Sequence, residues 1–231
     1  MKKTVNVLLQ LNLKRFRVPE KTTTKYSALD VMKQALELLF EFVPSEKNYR
    51  EAMRTIEVYS EGDHEMMQAL RTSFRFIANA VYSAYEGQRR VESIGPEALF
   101  LEGLPFDPTE LQQAFRFVGV KPPDPRPSTV KKMTYLDEGF EPYKQLLEGK
   151  IGPEHAQVGR ELHWVNTIHD VIREQTGHAV IRVGSKHLEG SLITRILRAQ
   201  TGQLIELLRR RDIEVKIVEK IADVNEAFGK R

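Results

Sequence analysis

From Thr4 to Leu13 apolar residues fall at every second position (Val5, Val7, Leu9, Leu11, Leu13), the period of a half-buried strand. Ser27 and Asp30 then open a helical pattern, with Val31, Met32, Ala35, Leu36, Leu38, Leu39 and Phe42 on one wide face and Pro44 as its stop. The short β-branched and aromatic run Thr55 to Tyr59 predicts a second strand, followed by the polar turn Ser60-Glu61-Gly62-Asp63-His64 and a long helix from about Glu65 to Tyr85. Ala98 to Leu101 is a short buried strand that stops at Glu102-Gly103. Residues 105–153 hold most of the chain's 11 prolines. Helices are expected there at Thr109 to Phe117 and Glu141 to Leu147, and extended loop through the Lys-Pro-Pro-Asp-Pro-Arg-Pro-Ser stretch. Pro153 opens what reads as one helix reaching Gly177, with Val158, Leu162, Val165, Ile168 and Ile172 on its stripe. A strand at His178 to Val183, a helix at about Leu192 to Arg211 and a last strand at Glu214 to Val218 complete the pattern.

Strands alternating with long helices predict an α/β fold: a central, mainly parallel sheet flanked by helices, forming one domain over residues 1–231. The proline-rich 105–153 segment is then an insertion or lid within it. Such sheets bind ligands at the carboxyl ends of their strands. Three of the expected strands end in polar, glycine-containing turns, at Glu61 to His64, Glu102-Gly103 and Ser185 to Gly190.

Composition narrows the chemistry more than the class. The chain has 231 residues, 41% hydrophobic and 29% charged, which suits a folded globular protein. It has no cysteine, so disulfides, thiolate metal sites, iron–sulfur clusters and a cysteine nucleophile are excluded. The net charge of +3 comes from interspersed charges, so a polybasic nucleic-acid or membrane-surface binder is disfavoured. Arg209, Arg210 and Arg211, with Arg195 and Arg198, make a basic helix end, but Glu206, Asp212 and Glu214 dilute it and the helix dipole favours cations there. Polar Asn6, Gln10 and Asn12 interrupt the start, and no run is long enough to span a bilayer, so a soluble, cytoplasmic protein is expected.

Several familiar sites are missing. His64-Glu65-Met66-Met67-Gln68 lacks the second histidine of a zinc-protease helix, and no phosphate-binding loop, dinucleotide fingerprint or nucleophile elbow occurs. What remains is an ordered set of short motifs: Ser-Glu-Gly-Asp-His at 60–64, Leu-Glu-Gly at 101–103, Arg-Glu-Leu-His-Trp at 160–164 and Val-Gly-Ser-Lys-His-Leu-Glu-Gly at 183–190. In that order they resemble the erythromycin-esterase, TraB/Tiki and ChaN-like superfamily over residues 55–218. The resemblance implies a turn with Glu61 and His64, a strand-end Glu102, a helix opening on Arg160 and Glu161, and a late His187; Ser60 stands where the family usually has glycine.

The same resemblance implies ester hydrolysis, metal-dependent peptide cleavage or haem binding. Glu61, His64, Glu102, Arg160 and His187 are thus the candidate site, with Glu61 and His64 to activate water, His187 to assist the leaving group and Arg160 to steady an oxyanion or pair with Glu102. The expected activity is hydrolysis of an ester or amide bond in a small molecule or peptide. Glu61, His64, Glu102 and His187 are also ligand types that suit a divalent metal. The competing class is a non-enzymatic module of the same fold that holds haem, an acidic partner or nucleic acid.

Overall fold

In a computed structural model, residues 3–10, 27–40, 45–60, 62–105, 128–174, 178–184, 187, 203–221 and 224–228 are described. The expected helix at Thr109 to Phe117, the proline-rich loop from 121 to 127, Glu61 and the residues at 188–202 lie outside them. The chain divides into two compact units. One comprises residues 1–12, 87–107 and 124–221; the other comprises 13–86, 108–123 and 222–231.

The first unit carries a sheet of five strands, all parallel: β1 (Lys3–Gln10), β2 (Ala98–Leu101), β3 (Lys132–Tyr135), β4 (Ala179–Gly184) and β5 (Ile213–Lys220), in the order β3-β2-β4-β1-β5. This is the expected α/β architecture. β4 sits at the centre and is buried along its whole length, which explains why 179–184 reads as a nearly continuous apolar run rather than an alternating one. Its alternate residues serve two faces. Ala179, Ile181 and Val183 join Trp164, Val165, Ile168, Leu204 and Leu208 in one core, and each fully buried aliphatic side chain stabilises by about 1.5–3 kcal/mol. Arg182 is buried too, and burial pushes its guanidinium down to about 10. Its approach to Gly87 is so close that a Cβ there would stand 2.5 Å from Nη2.

The second unit is helical. α1 (Ala28–Phe40), α2 (Glu46–Tyr59) and the first part of α3 (His64–Ile94) bury Val31, Met32, Leu36, Leu39, Tyr49, Ile56, Leu70 and Phe74 in a separate core. The division between the units falls within α3, between Glu86 and Gly87. The expected strand at Thr55 to Tyr59 is overturned: these residues are the last turns of α2. Ser45 caps that helix by accepting from the Asn48 N–H, and Tyr49, Ala52 and Ile56 fall at helical spacing on the buried face, so packing overrides the β propensity of Thr55, Ile56, Val58 and Tyr59.

Two further departures concern the middle of the chain. The 105–153 segment contributes β3, a half-exposed edge strand, as well as the expected α4 (Glu141–Leu147). The single helix expected from Pro153 is two, α5 (Pro153–Gln157) and α6 (Arg160–Glu174), parted at Gly159 with φ of 74°. In the C-terminal stretch the described helices are α7 (Leu204–Arg210) and α8 (Val224–Phe228). Among the described residues, no helix is long and apolar enough to cross a membrane.

Candidate functional site

The chain leaves β2 toward β3 at one edge of the sheet and leaves β4 toward β5 at the other, although β2 and β4 are neighbours. Adjacent strands whose connections depart in opposite directions leave a crevice at their carboxyl ends, the position where open parallel sheets bind ligands. Glu102 follows β2 directly, Asp137 follows β3 by two residues and His187 follows β4 by three. Helix α6 supplies Arg160, Glu161 and Trp164 from its first turns. These six side chains meet at that end of the sheet.

Asp137 is the most heavily bonded of them. Its carboxylate accepts from Arg160 Nε and Nη2, both at 2.7 Å, from Trp164 Nε1 at 2.8 Å and from the Gly103 N–H at 2.8 Å. The two arginine bonds are the side-by-side kind that fixes a guanidinium plane as well as its position. Its Cζ stands over the rings of both Tyr143 and Trp164, 4.3 and 4.6 Å from their centroids. Burial opposes the Arg160 charge, but Asp137 and Glu102 outweigh it and hold the pKa above its ordinary value.

His187 lies between two carboxylates. Nδ1 is 2.8 Å from Glu161 Oε1 and Nε2 is 3.1 Å from Glu102 Oε1, while its ring rests 4.6 Å from that of Trp164. A neutral imidazole has one N–H, so only the protonated ring can donate to both carboxylates. Burial pushes its pKa down, yet hydrogen bonds to Glu102 and Glu161 and the charge of Glu102 raise it above the usual value, with Arg160 acting against them. The carboxylates are themselves anchored: Glu161 Oε2 accepts from the Gln203 N–H at 2.7 Å, and Glu102 Oε2 from the Gly184 N–H at 2.8 Å.

Arg160 Nη2 is also 3.3 Å from the Glu102 Oε1 that faces His187. One oxygen of Glu102 therefore faces both the Arg160 guanidinium and the His187 ring. The side chains of Asp137, Arg160, Glu161 and His187 are at most 2% exposed, whereas that of Glu102 is 21% exposed and is the member that reaches solvent.

Of the expected site residues, Glu102, Arg160 and His187 come together in this cluster. His64 is exposed at the start of α3, in the helical unit, on a turn that joins two helices rather than ending a strand. Glu61 lies outside the described residues. Among the described residues, no group of three or more His, Asp or Glu side chains is arranged to hold a metal ion, and both ring nitrogens of His187 are already engaged by carboxylates.

The sequence reading missed Asp137 and Trp164, and named Glu161 without placing it in the site. A signal was present for Asp137: Leu136-Asp137-Glu138-Gly139 is the apolar–acid–glycine pattern of Leu101-Glu102-Gly103 with one more acid inserted. It went unread because the Lys-Met-Thr-Tyr strand before it is no apolar run. Comparisons with family models, with curated proteins and with solved structures find no match to this chain.

Proposed function

We propose that the protein hydrolyses an ester or amide bond of a small molecule or peptide, with His187 as the acid/base group, Glu161 as its orienting partner and Arg160 steadying the developing oxyanion. The observation that carries this reading is the Glu161–His187–Glu102 chain, in which a buried histidine is fixed through one nitrogen by a buried carboxylate and linked through the other to a carboxylate that reaches solvent. Glu161 does for the ring what an orienting acid does in a hydrolytic triad: it sets which nitrogen keeps its proton and stabilises the imidazolium. Glu102 passes protons between that ring and water. Ester hydrolysis is among the activities the motif resemblance implies, and the sheet's switch point supports the same place.

This reading uses the three expected residues that meet in the sheet unit and gives His64 no role. Turnover across a panel of esters and peptides, with and without divalent metal or chelator, tests it. His187→Ala should lower the rate by about 10²–10⁴-fold, with Glu161→Gln also impaired and His64→Ala close to wild type. Absence of turnover across the panel, or turnover that survives His187→Ala, would leave the non-enzymatic ligand-holding module as the account. Loss of turnover in His64→Ala would instead return water activation to the Glu61–His64 turn.

A further inference from the structure

Glu102 occupies a position that two cationic groups and a backbone amide all address. Oε1 lies 3.3 Å from Arg160 Nη2 and 3.1 Å from His187 Nε2, and Oε2 receives the Gly184 N–H at 2.8 Å. Each cation already has its own buried carboxylate, Asp137 for Arg160 and Glu161 for His187. Without Glu102 the remaining four charged groups would balance, and three N–H donors would still point at one place. Donors held rigidly by other residues around a single two-oxygen acceptor are the makings of an oxyanion site.

We propose that Glu102 is the built-in occupant of a carboxylate-binding site formed by Arg160, His187 and the Gly184 N–H, and that a substrate carboxylate or reaction oxyanion takes its place when the Glu102 side chain turns toward solvent. The donors stay put because their holders are buried: Asp137 fixes the arginine plane, Glu161 fixes the ring, and β4 fixes the amide. The occupant is the part that can leave, since it alone among the cluster's charged side chains is substantially exposed. The inference deepens the hydrolase reading by naming the chemical class that the site receives, and it explains why so stabilised a carboxylate would stand at the mouth of an acid/base site.

Removing the occupant tests this without any substrate. In Glu102→Ala, sodium formate should bind saturably, raising the thermal midpoint and shifting the Gly184 amide and His187 ring resonances in NMR spectra. Sodium chloride at equal ionic strength should do neither, and in Glu102→Gln, whose side chain still fills the position, formate should have no such effect. A Glu102→Ala protein that folds only when formate is present supports the proposal as well. A folded Glu102→Ala protein that responds to formate no more than to chloride overturns it. If Glu102→Ala folds under neither condition, nitrogen NMR of the wild-type His187 ring decides: two ring protons at neutral pH are required, and a single one overturns the proposal. These readouts are independent of turnover, so formate binding by a protein that hydrolyses nothing would refute the activity and leave the site standing.

Discussion

Asp137 shows how much one carboxylate can fix. It holds the guanidinium of Arg160, the indole of Trp164 and the amide that follows Glu102, and its side chain is completely buried. Removing one partner from a buried pair leaves an uncompensated charge, so Asp137→Ala should cost about 3–5 kcal/mol in denaturant unfolding, and a loss under 1 kcal/mol would contradict the burial of the pair. His187 makes a complementary, pH-dependent prediction. Its pKa in the folded protein is raised, so its contribution to stability is complete below the unfolded value of about 6.5 and is lost as pH rises through the higher folded value. The groups that set it are Glu102, Glu161 and Arg160. Urea midpoints measured across that window should fall on the alkaline side for wild type and flatten in His187→Gln. Equal slopes in the two proteins would count against a buried imidazolium.

Among the elements, the junction between α5 and α6 decides where the site's arginine stands. A continuous apolar stripe ran through 158–172 in the sequence, and nothing in it marked a break except Gly159. That glycine takes φ of 74°, and its carbonyl accepts the His163 N–H, so α6 begins there and Arg160 becomes its first residue, aimed at Asp137. A Cβ at Gly159 would meet nothing within 4 Å, which confines the cost of Gly159→Ala to backbone strain. A loss of about 1–2 kcal/mol is expected in chemical unfolding, and an unchanged midpoint would show that the junction tolerates a side chain. The elements that were legible were those whose burial makes them uniform: β2 and β4, buried at every position, stand in the sequence as apolar runs, broken in β4 only by Arg182 and the closing Gly184. β3 was not, because an edge strand that is only half covered needs no apolar pattern. The strand expected at Thr55 to Tyr59 failed for the opposite reason, since a buried helical face there outweighed local preference.

For the molecule as a whole, the α/β class and the parallel sheet followed from the alternation of elements, whereas Glu102, Arg160 and His187 were named from the ordered short motifs and the resemblance they carry. What could not be read was that His64 opens a helix shortly after another helix ends, because the expected site there depended on a strand at 55–59 that is helical instead. Strand order was equally hidden, and it carries a further consequence. β1 pairs with β4 and β5, Val5 lying opposite both Ala179 and Val215. On the ribosome this strand emerges before either of its neighbours, which are encoded far downstream at Ala179–Gly184 and Ile213–Lys220. Val5, Val7 and Leu8, all fully buried in the finished protein, must therefore pass through synthesis uncovered by their own sheet. Pairing across such a sequence separation delays the completion of this part of the sheet until the last strand of the chain's sheet order has been made.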